Sequence, residues 1–341
     1  MLRSAQIIIL SAALLMPAGA MAATDDQNTC GLQEAKPEVI AACSRLIDDA
    51  TNSDRVRSWA YAVRGNMKRT EDDLSGAIAD YTAALKLRPN FDGALNGRAA
   101  AYSIMKNYDL ALPDATQAIA INPNDAEYYN TRGLAYRQLH QADKALADFN
   151  QAIKLKPDYA VAFNNRGTAY DSLKQPDAAI ADFKHAIALA PDYALAYYNL
   201  GETENDFEDD YDKAIADLTA ALKLNPSLVP ALLNRGVAYA RKKHTKAGLA
   251  DFSAAISMQP DLAEAYRDRG SLYLMSGDTK SALADFEKAV ALAPNDAAAL
   301  YERGTARKKA GDASGGDADI AAAEKLNPDL AKTMAKLLGE I

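Results

Sequence analysis

The chain has 341 residues, 49 % hydrophobic and 25 % charged, which excludes both a disordered tail and a polytopic membrane protein. Acids outnumber Lys plus Arg 46 to 38, for a formal net charge of −8. That balance argues against phosphate-backbone binding, which needs clustered cations to release counterions. Two Cys exclude a disulfide-dense mini-fold and a four-thiolate zinc site.

Residues 1–22 carry Arg3, an apolar run from Ile7 to Met16 and a small-residue end, Ala20-Met21-Ala22. This is the pattern of a secretory signal peptide, and its apolar core falls short of the ~20 residues that span a bilayer. The mature chain is therefore expected to be soluble, periplasmic or secreted, with no membrane insertion after cleavage. Residues 23–57 form a lead-in holding both thiols, Cys30 and Cys43. Export permits a Cys30–Cys43 bridge. The other reading makes Cys43 a plain core thiol, on a helical stripe with Val39, Leu46 and Ile47.

From there the sequence repeats. Pro89, Pro123, Pro157, Pro191, Pro226, Pro260, Pro294 and Pro328 recur at intervals of 34 residues, with one of 35. Ala stands five residues before each, and Ala or Gly twelve before. Gly opens the pattern in seven of eight units, from Gly65 to Gly304, with Ala99 in the exception. The units run 58–91, 92–125, 126–159, 160–193, 194–228, 229–262, 263–296 and 297–330. Apolar spacing of three to four predicts two helices per unit: Tyr129, Gly133 and Tyr136 mark one face of a first helix, and Ala145, Phe149 and Ala152 mark a second.

Departures are expected to matter. Ala99 and Ala115 replace Gly and the aromatic in the second unit, a volume compensation; Pro113 should kink or shorten that unit's second helix. The fifth unit holds the extra residue and Glu204 where others carry Tyr, so its first helix should pack less firmly. Seven acids lie between Glu202 and Asp212, while the equivalent turn one unit later carries Arg241, Lys242, Lys243, His244 and Lys246. Mutual neutralisation, a basic partner and a calcium loop are the three readings of this segment, the last without EF-hand spacing. Residues 331–341 should form a helix capping the final unit.

Aromatic, Gly, Tyr, Ala, Phe, Ala and Pro in this order, in 34-residue helix pairs, resemble tetratricopeptide repeats (TPR). With Asn-Arg-Gly in helix one and Ala-Asp-Phe in helix two, the units are similar to repeats of exported bacterial proteins. Val39-Ile40-Ala41-Ala42-Cys43 of the lead-in resembles one unpaired second helix. The resemblance implies an all-α fold, a right-handed α-solenoid of stacked antiparallel helix pairs, whose groove of first helices binds a protein or peptide partner.

Arg precedes the Gly position in seven units, and Asp occupies one position of helix two in all eight. These are either a basic track for anionic ligands or a ladder of local Arg–Asp pairs, and the ladder gives every Arg a partner. Groove candidates are Asn96, Asn130 and Asn164 at one register position and Asn165, Asn199 and Asn234 at the next. Spaced amides offer donor and acceptor to an extended backbone without reading its sequence, as in some related proteins; local satisfaction of each Asn is the alternative. Arg137, Tyr198, Arg267 and Tyr301 are expected to add specificity. A Lys/Asn clamp for C-terminal carboxylates is not matched. His140, His185 and His244 occupy different repeat positions, and no nucleotide-binding Gly loop appears. No catalytic residue, metal or cofactor is therefore expected. The chain reads as a non-enzymatic scaffold of the bacterial envelope. The alternatives are a self-associating structural protein, or an accessory subunit of an envelope enzyme or of a secretion or polysaccharide assembly.

Overall fold

The computed structural model describes residues 24–32, 36–207, 210–329 and 333. The expected signal segment, and the expected final helix apart from Thr333, lie outside these residues. Eighteen α-helices are described, and none is long and apolar enough to cross a membrane. The chain divides into two compact units at Gln175/Pro176.

The first unit begins with α1 (Asp25–Cys30) and α2 (Pro37–Asp48). α1 is a second helix in a lead-in that the sequence reading credits with one. Thr24 caps it: its side chain accepts from the Gln27 amide while Gln27 answers to the Thr24 N–H, so two end donors are satisfied reciprocally. Cys30 and Cys43 are joined in a disulfide that ties α1 to α2. Both sulfurs sit in a buried cluster with Val39, Leu46, Ile47, Trp59, Val63 and Met67.

Three first–second helix pairs follow: α3 (Asp54–Thr70) with α4 (Leu74–Leu87), α5 (Asp92–Ile104) with α6 (Tyr108–Ile121), and α7 (Ala126–Gln138) with α8 (Ala142–Leu155). α9 (Ala160–Ser172) closes the unit. The second unit opens on α10 (Pro176–Leu189) and continues with α11 (Ala194–Phe207) and α12 (Tyr211–Leu224), then α13 (Val229–Arg241) and α14 (Thr245–Met258). It ends with α15 (Ala263–Met275) and α16 (Thr279–Leu292), then α17 (Ala297–Lys309) and α18 (Ala313–Leu326). Within each unit every helix packs on the next, so α4, α6, α8, α12, α14 and α16 are each shared between their own first helix and the one that follows. First helices also touch the next first helix, α3 with α5 or α13 with α15, and second helices make no comparable contact. Each stack therefore bends toward its first helices.

Small residues set the close approach. A Cβ added at Gly133 would lie 2.7 Å from the Phe149 ring, and one at Gly236 2.6 Å from Phe252. Five non-glycine residues in the turns between paired helices take positive φ: Asp72, Lys106, His140, Lys174 and Lys243. Among the described residues, Gly277 and Gly311 meet the same need without a Cβ.

One expectation, and half of another, are corrected. Pro113 does not shorten α6, which spans 14 residues like α4 and α8. Ala111, Ala115 and Ala118 are fully buried around it, and that packing holds the helix through the missing N–H. Nor is α11 loosely packed: Leu200, Gly201, Thr203 and Glu204 are all buried, and the extra residue is taken up at its C-terminal end. In the charged turns Lys242 bonds both carboxylate oxygens of Asp212 and Lys213 pairs with Asp210, so cations and acids there meet each other.

Candidate functional site

In six repeats the Arg that precedes the Gly position is consumed by structure. Arg64, Arg98, Arg132, Arg235, Arg269 and Arg303 each donate from Nε and Nη2 to both oxygens of Asp80, Asp114, Asp148, Asp251, Asp285 and Asp319, at 2.6–2.8 Å. Four of them reach a hydroxyl of the preceding second helix through Nη1: Ser44, Thr82, Thr219 and Ser253. One guanidinium thus fixes its own pair and the helix before it. A two-point Arg–carboxylate bond constrains direction as well as distance, so the ladder sets register. This overturns the basic-track reading for these six.

The fifth repeat lacks the Arg, with Leu200 at that position. Here Asp217 faces Glu204, a side chain only 1 % exposed. Burial pushes both carboxyls above their ordinary range, and the neighbouring Asp217 raises Glu204 further.

The expected groove residues divide. Asn165 Nδ2 donates to Asn130 Oδ1 at 2.9 Å, joining α9 to α7. Asn234 Nδ2 donates to Glu202 Oε1 at 3.1 Å, joining α13 to α11, and Tyr198 donates to the same carboxylate oxygen. Part of the amide capacity therefore links first helices. Asn96 and Asn164 are buried, with Asn96 Oδ1 left without a partner; Asn199 is half-buried. Arg137 donates from Nη1 to Thr168 Oγ1 at 2.8 Å, and its Nε is buried and unpartnered. Arg267 contacts Asp268 and Asp296. Tyr301 belongs to a buried cluster with Val290, Ala297 and Leu300.

Family models for tetratricopeptide repeats match residues 93–125 and 160–193, 115–147, 206–263 and 263–296, and a TPR repeat model matches 133–174. Together they take in more than half of the chain. The protein belongs to the tetratricopeptide repeat family. No curated protein sequence matches it. Among solved structures, the tetratricopeptide chain is similar to one in the APC/C hetero-tetramer Cut9–Hcn1, with a TM-score of 0.64 and 14 % identity. That match covers 88 % of this chain and 59 % of the other, so the protein spans about three fifths of that relative's length. PilW, a type IV pilus biogenesis factor, aligns with a TM-score of 0.56 and 21 % identity over 60 % of this chain and 94 % of its own. Pseudomonas aeruginosa pilF aligns with 0.55 and 17 % over 62 % and 96 %. At these identities the likeness is one of fold.

Sequence reasoning missed an acidic group among the C-terminal tetratricopeptide repeats. Asp268 and Glu302 occupy the register of Asn165, Asn199 and Asn234, so a search along that register for any polar residue finds them. Burial, the larger cause, pushes Asp268 up to about 6 and Glu302 up to about 7, although Arg267 opposes both. Ser271 donates to Glu302 Oε2 at 2.9 Å. Because Glu302 titrates near 7 when folded against an ordinary 4.5, the folded chain holds the extra proton between those values. Stability is therefore expected to fall as pH rises from about 5 to about 7. Melting temperatures of the wild type at acid and mildly alkaline pH should show the fall. Glu302→Gln, which stays neutral throughout, should reduce it, and an unchanged slope in the variant would assign the dependence elsewhere.

Proposed function

We propose that this tetratricopeptide protein is an exported, non-enzymatic scaffold of the bacterial envelope that holds an extended segment of a partner protein against its first helices. One observation carries the reading. Among the described residues, the buried side-chain polar atoms without a hydrogen-bond partner belong to Asn96, Ser103, Tyr128, Arg137, Glu204 and Asn205, all on first helices. An unmade buried hydrogen bond costs roughly 1–3 kcal/mol. Tyr128 lies in the core and Glu204 lies against Asp217 of its own pair. On the second helices, the buried Asp80, Asp114, Asp148, Asp251, Asp285 and Asp319 are bonded to Arg. The atoms of Asn96, Ser103, Arg137 and Asn205, by contrast, match a face that completes its bonding with a ligand. The rigid repeats present that face at little ordering cost to the receptor. The signal-like start and the Cys30–Cys43 disulfide support export.

Affinity capture from native envelope extract tests the reading. The mature chain should retain a protein that an Asn130→Ala, Asn165→Ala, Asn234→Ala variant of unchanged helix content binds at least about tenfold more weakly, the worth of one or two hydrogen bonds. Equal capture by the variant would remove the first-helix face from the function. Concentration-dependent size on gel filtration, with nothing captured, would replace the scaffold by a self-associating structural protein.

A further inference from the structure

Arg137 copies half of a pattern that the ladder shows whole. In Arg64, Arg98, Arg235 and Arg269, Nη1 is bonded to a Ser or Thr hydroxyl and the Nε/Nη2 edge grips a carboxylate. In Arg137, Nη1 is bonded to the Thr168 hydroxyl, while Nε is buried and has no partner. No carboxylate among the described residues pairs with this guanidinium. The side chain is half-buried with no anion beside it, and burial lowers its proton affinity. A desolvated Nε with no acceptor is unfavourable, and a carboxylate arriving there would relieve it.

The neighbouring first helix repeats the shortage. Ser103 lies 34 residues before Arg137, at the same register position one repeat earlier, and its hydroxyl is also buried without a partner. Ser103 on α5, Arg137 on α7 and Thr168 on α9 thus set hydroxyl, guanidinium and hydroxyl on three successive first helices of one unit. We propose that Arg137, flanked by Ser103 and Thr168, receives the side-chain carboxylate of an Asp or Glu in the bound segment. A carboxylate fits because its two oxygens match the Nε/Nη2 edge, as the chain's own Asp residues show, and one negative charge balances one cation. The arrangement is unrelated to a Lys/Asn clamp, which this chain does not match. The inference rests on the first-helix face being the binding face and adds what one position of that face reads.

The test uses the mature chain and a library of extended peptides acetylated at the N-terminus and amidated at the C-terminus, so that only side chains carry charge. Wild type should enrich peptides with an Asp or Glu at one fixed position. Replacing that residue by Asn or Gln should weaken binding about tenfold or more, the worth of a hydrogen bond to a charged group. Arg137→Met should lose that preference and still bind the neutral peptides as wild type does. Its melting temperature should be no lower than that of wild type, because a half-buried charge without a counter-ion has been removed. Arg137→Lys should lose most of the preference, since an ammonium lacks the two-point edge. Enrichment without acidic preference, or a preference unchanged in Arg137→Met, overturns this proposal and leaves the scaffold reading standing. Preference only for peptides with a free C-terminus also overturns it. A lowered melting temperature in Arg137→Met with full acidic preference in Arg137→Lys assigns the guanidinium to packing, against the proposal. No enrichment of any peptide fails the scaffold reading itself, and this proposal with it.

Discussion

Phe149→Ala is expected to destabilise the protein by about 3–5 kcal/mol, the usual cost of emptying a core aromatic site. The ring is fully buried between Ala145 of its own helix and Ala169 of α9, with Leu134, Tyr136 and Leu146 around it. It also lies where a Gly133 Cβ would stand, 2.7 Å from Cε1. Gly133→Ala alone should cost about 1–3 kcal/mol by overpacking. The two changes together should cost less than their sum, because the new methyl enters the space the ring has left. The second repeat already contains the double replacement. Ala99 and Ala115 are both fully buried in one cluster with Ala111 and Ala135, and Tyr102, Tyr108 and Leu112 close around them. Urea midpoints of the two single variants and the double variant form the cycle, and the expected coupling is at least ~1 kcal/mol. Strict additivity would mean that Gly and aromatic are not filling one shared volume.

That prediction is legible in the sequence because repetition turns a packing contact into a spacing. Gly133 and Phe149 stand 16 residues apart, as Gly236 and Phe252 do, and the same offset separates Arg132 from Asp148 and Arg235 from Asp251. The Arg–Asp ladder is therefore readable as one fixed offset. Other features left weaker traces. α1 has six mostly polar residues and no apolar stripe, and Thr24 with Gln27 was its one signal. The left-handed turn residues were hidden because Asp72, Lys106, His140, Lys174 and Lys243 bear a strain that usually selects Gly. Glu204 stood out as a departure, yet its consequence depends on Asp217 across the helix pair and on the missing Arg at Leu200. On the candidate face, residue type and register were readable. Which atoms stay unbonded was not, since that depends on side-chain direction: Arg132 and Arg137 share one helix, and only Arg132 finds a carboxylate.

Cys43→Ser, or reduction of the native protein, is expected to cost about 3 kcal/mol at the N-terminal end by restoring loop entropy to the unfolded chain. The sequence separation of 13 sets that figure. α1 has six residues, too few for a helix to persist alone, and it rests on α2 through the disulfide and the Arg45–Asp26 pair. α2 lies on α3 as α4 lies on α5, so it covers the face of the first repeat that has no earlier second helix. Two bonds lock it there: Arg57 Nε donates to the Ile47 carbonyl and Arg64 Nη1 to the Ser44 hydroxyl. Reduction should therefore free α1 first, loosen α2 next, and expose Trp59, Val63 and Met67 to water. In a stack where each element contacts only its neighbours, the loss should fade within one or two repeats. Hydrogen exchange is expected to rise through α1 and α2, less through α3, and to stay unchanged beyond α5, with tryptophan fluorescence reporting the opening at Trp59. A uniform rise across all helices would mean that the repeats unfold as one cooperative block and that the lead-in holds the whole chain together. A Cys30→Ala, Cys43→Ala variant should match the reduced protein. A smaller loss than under reduction would show that the free thiols, rather than the opened loop, account for part of the destabilisation.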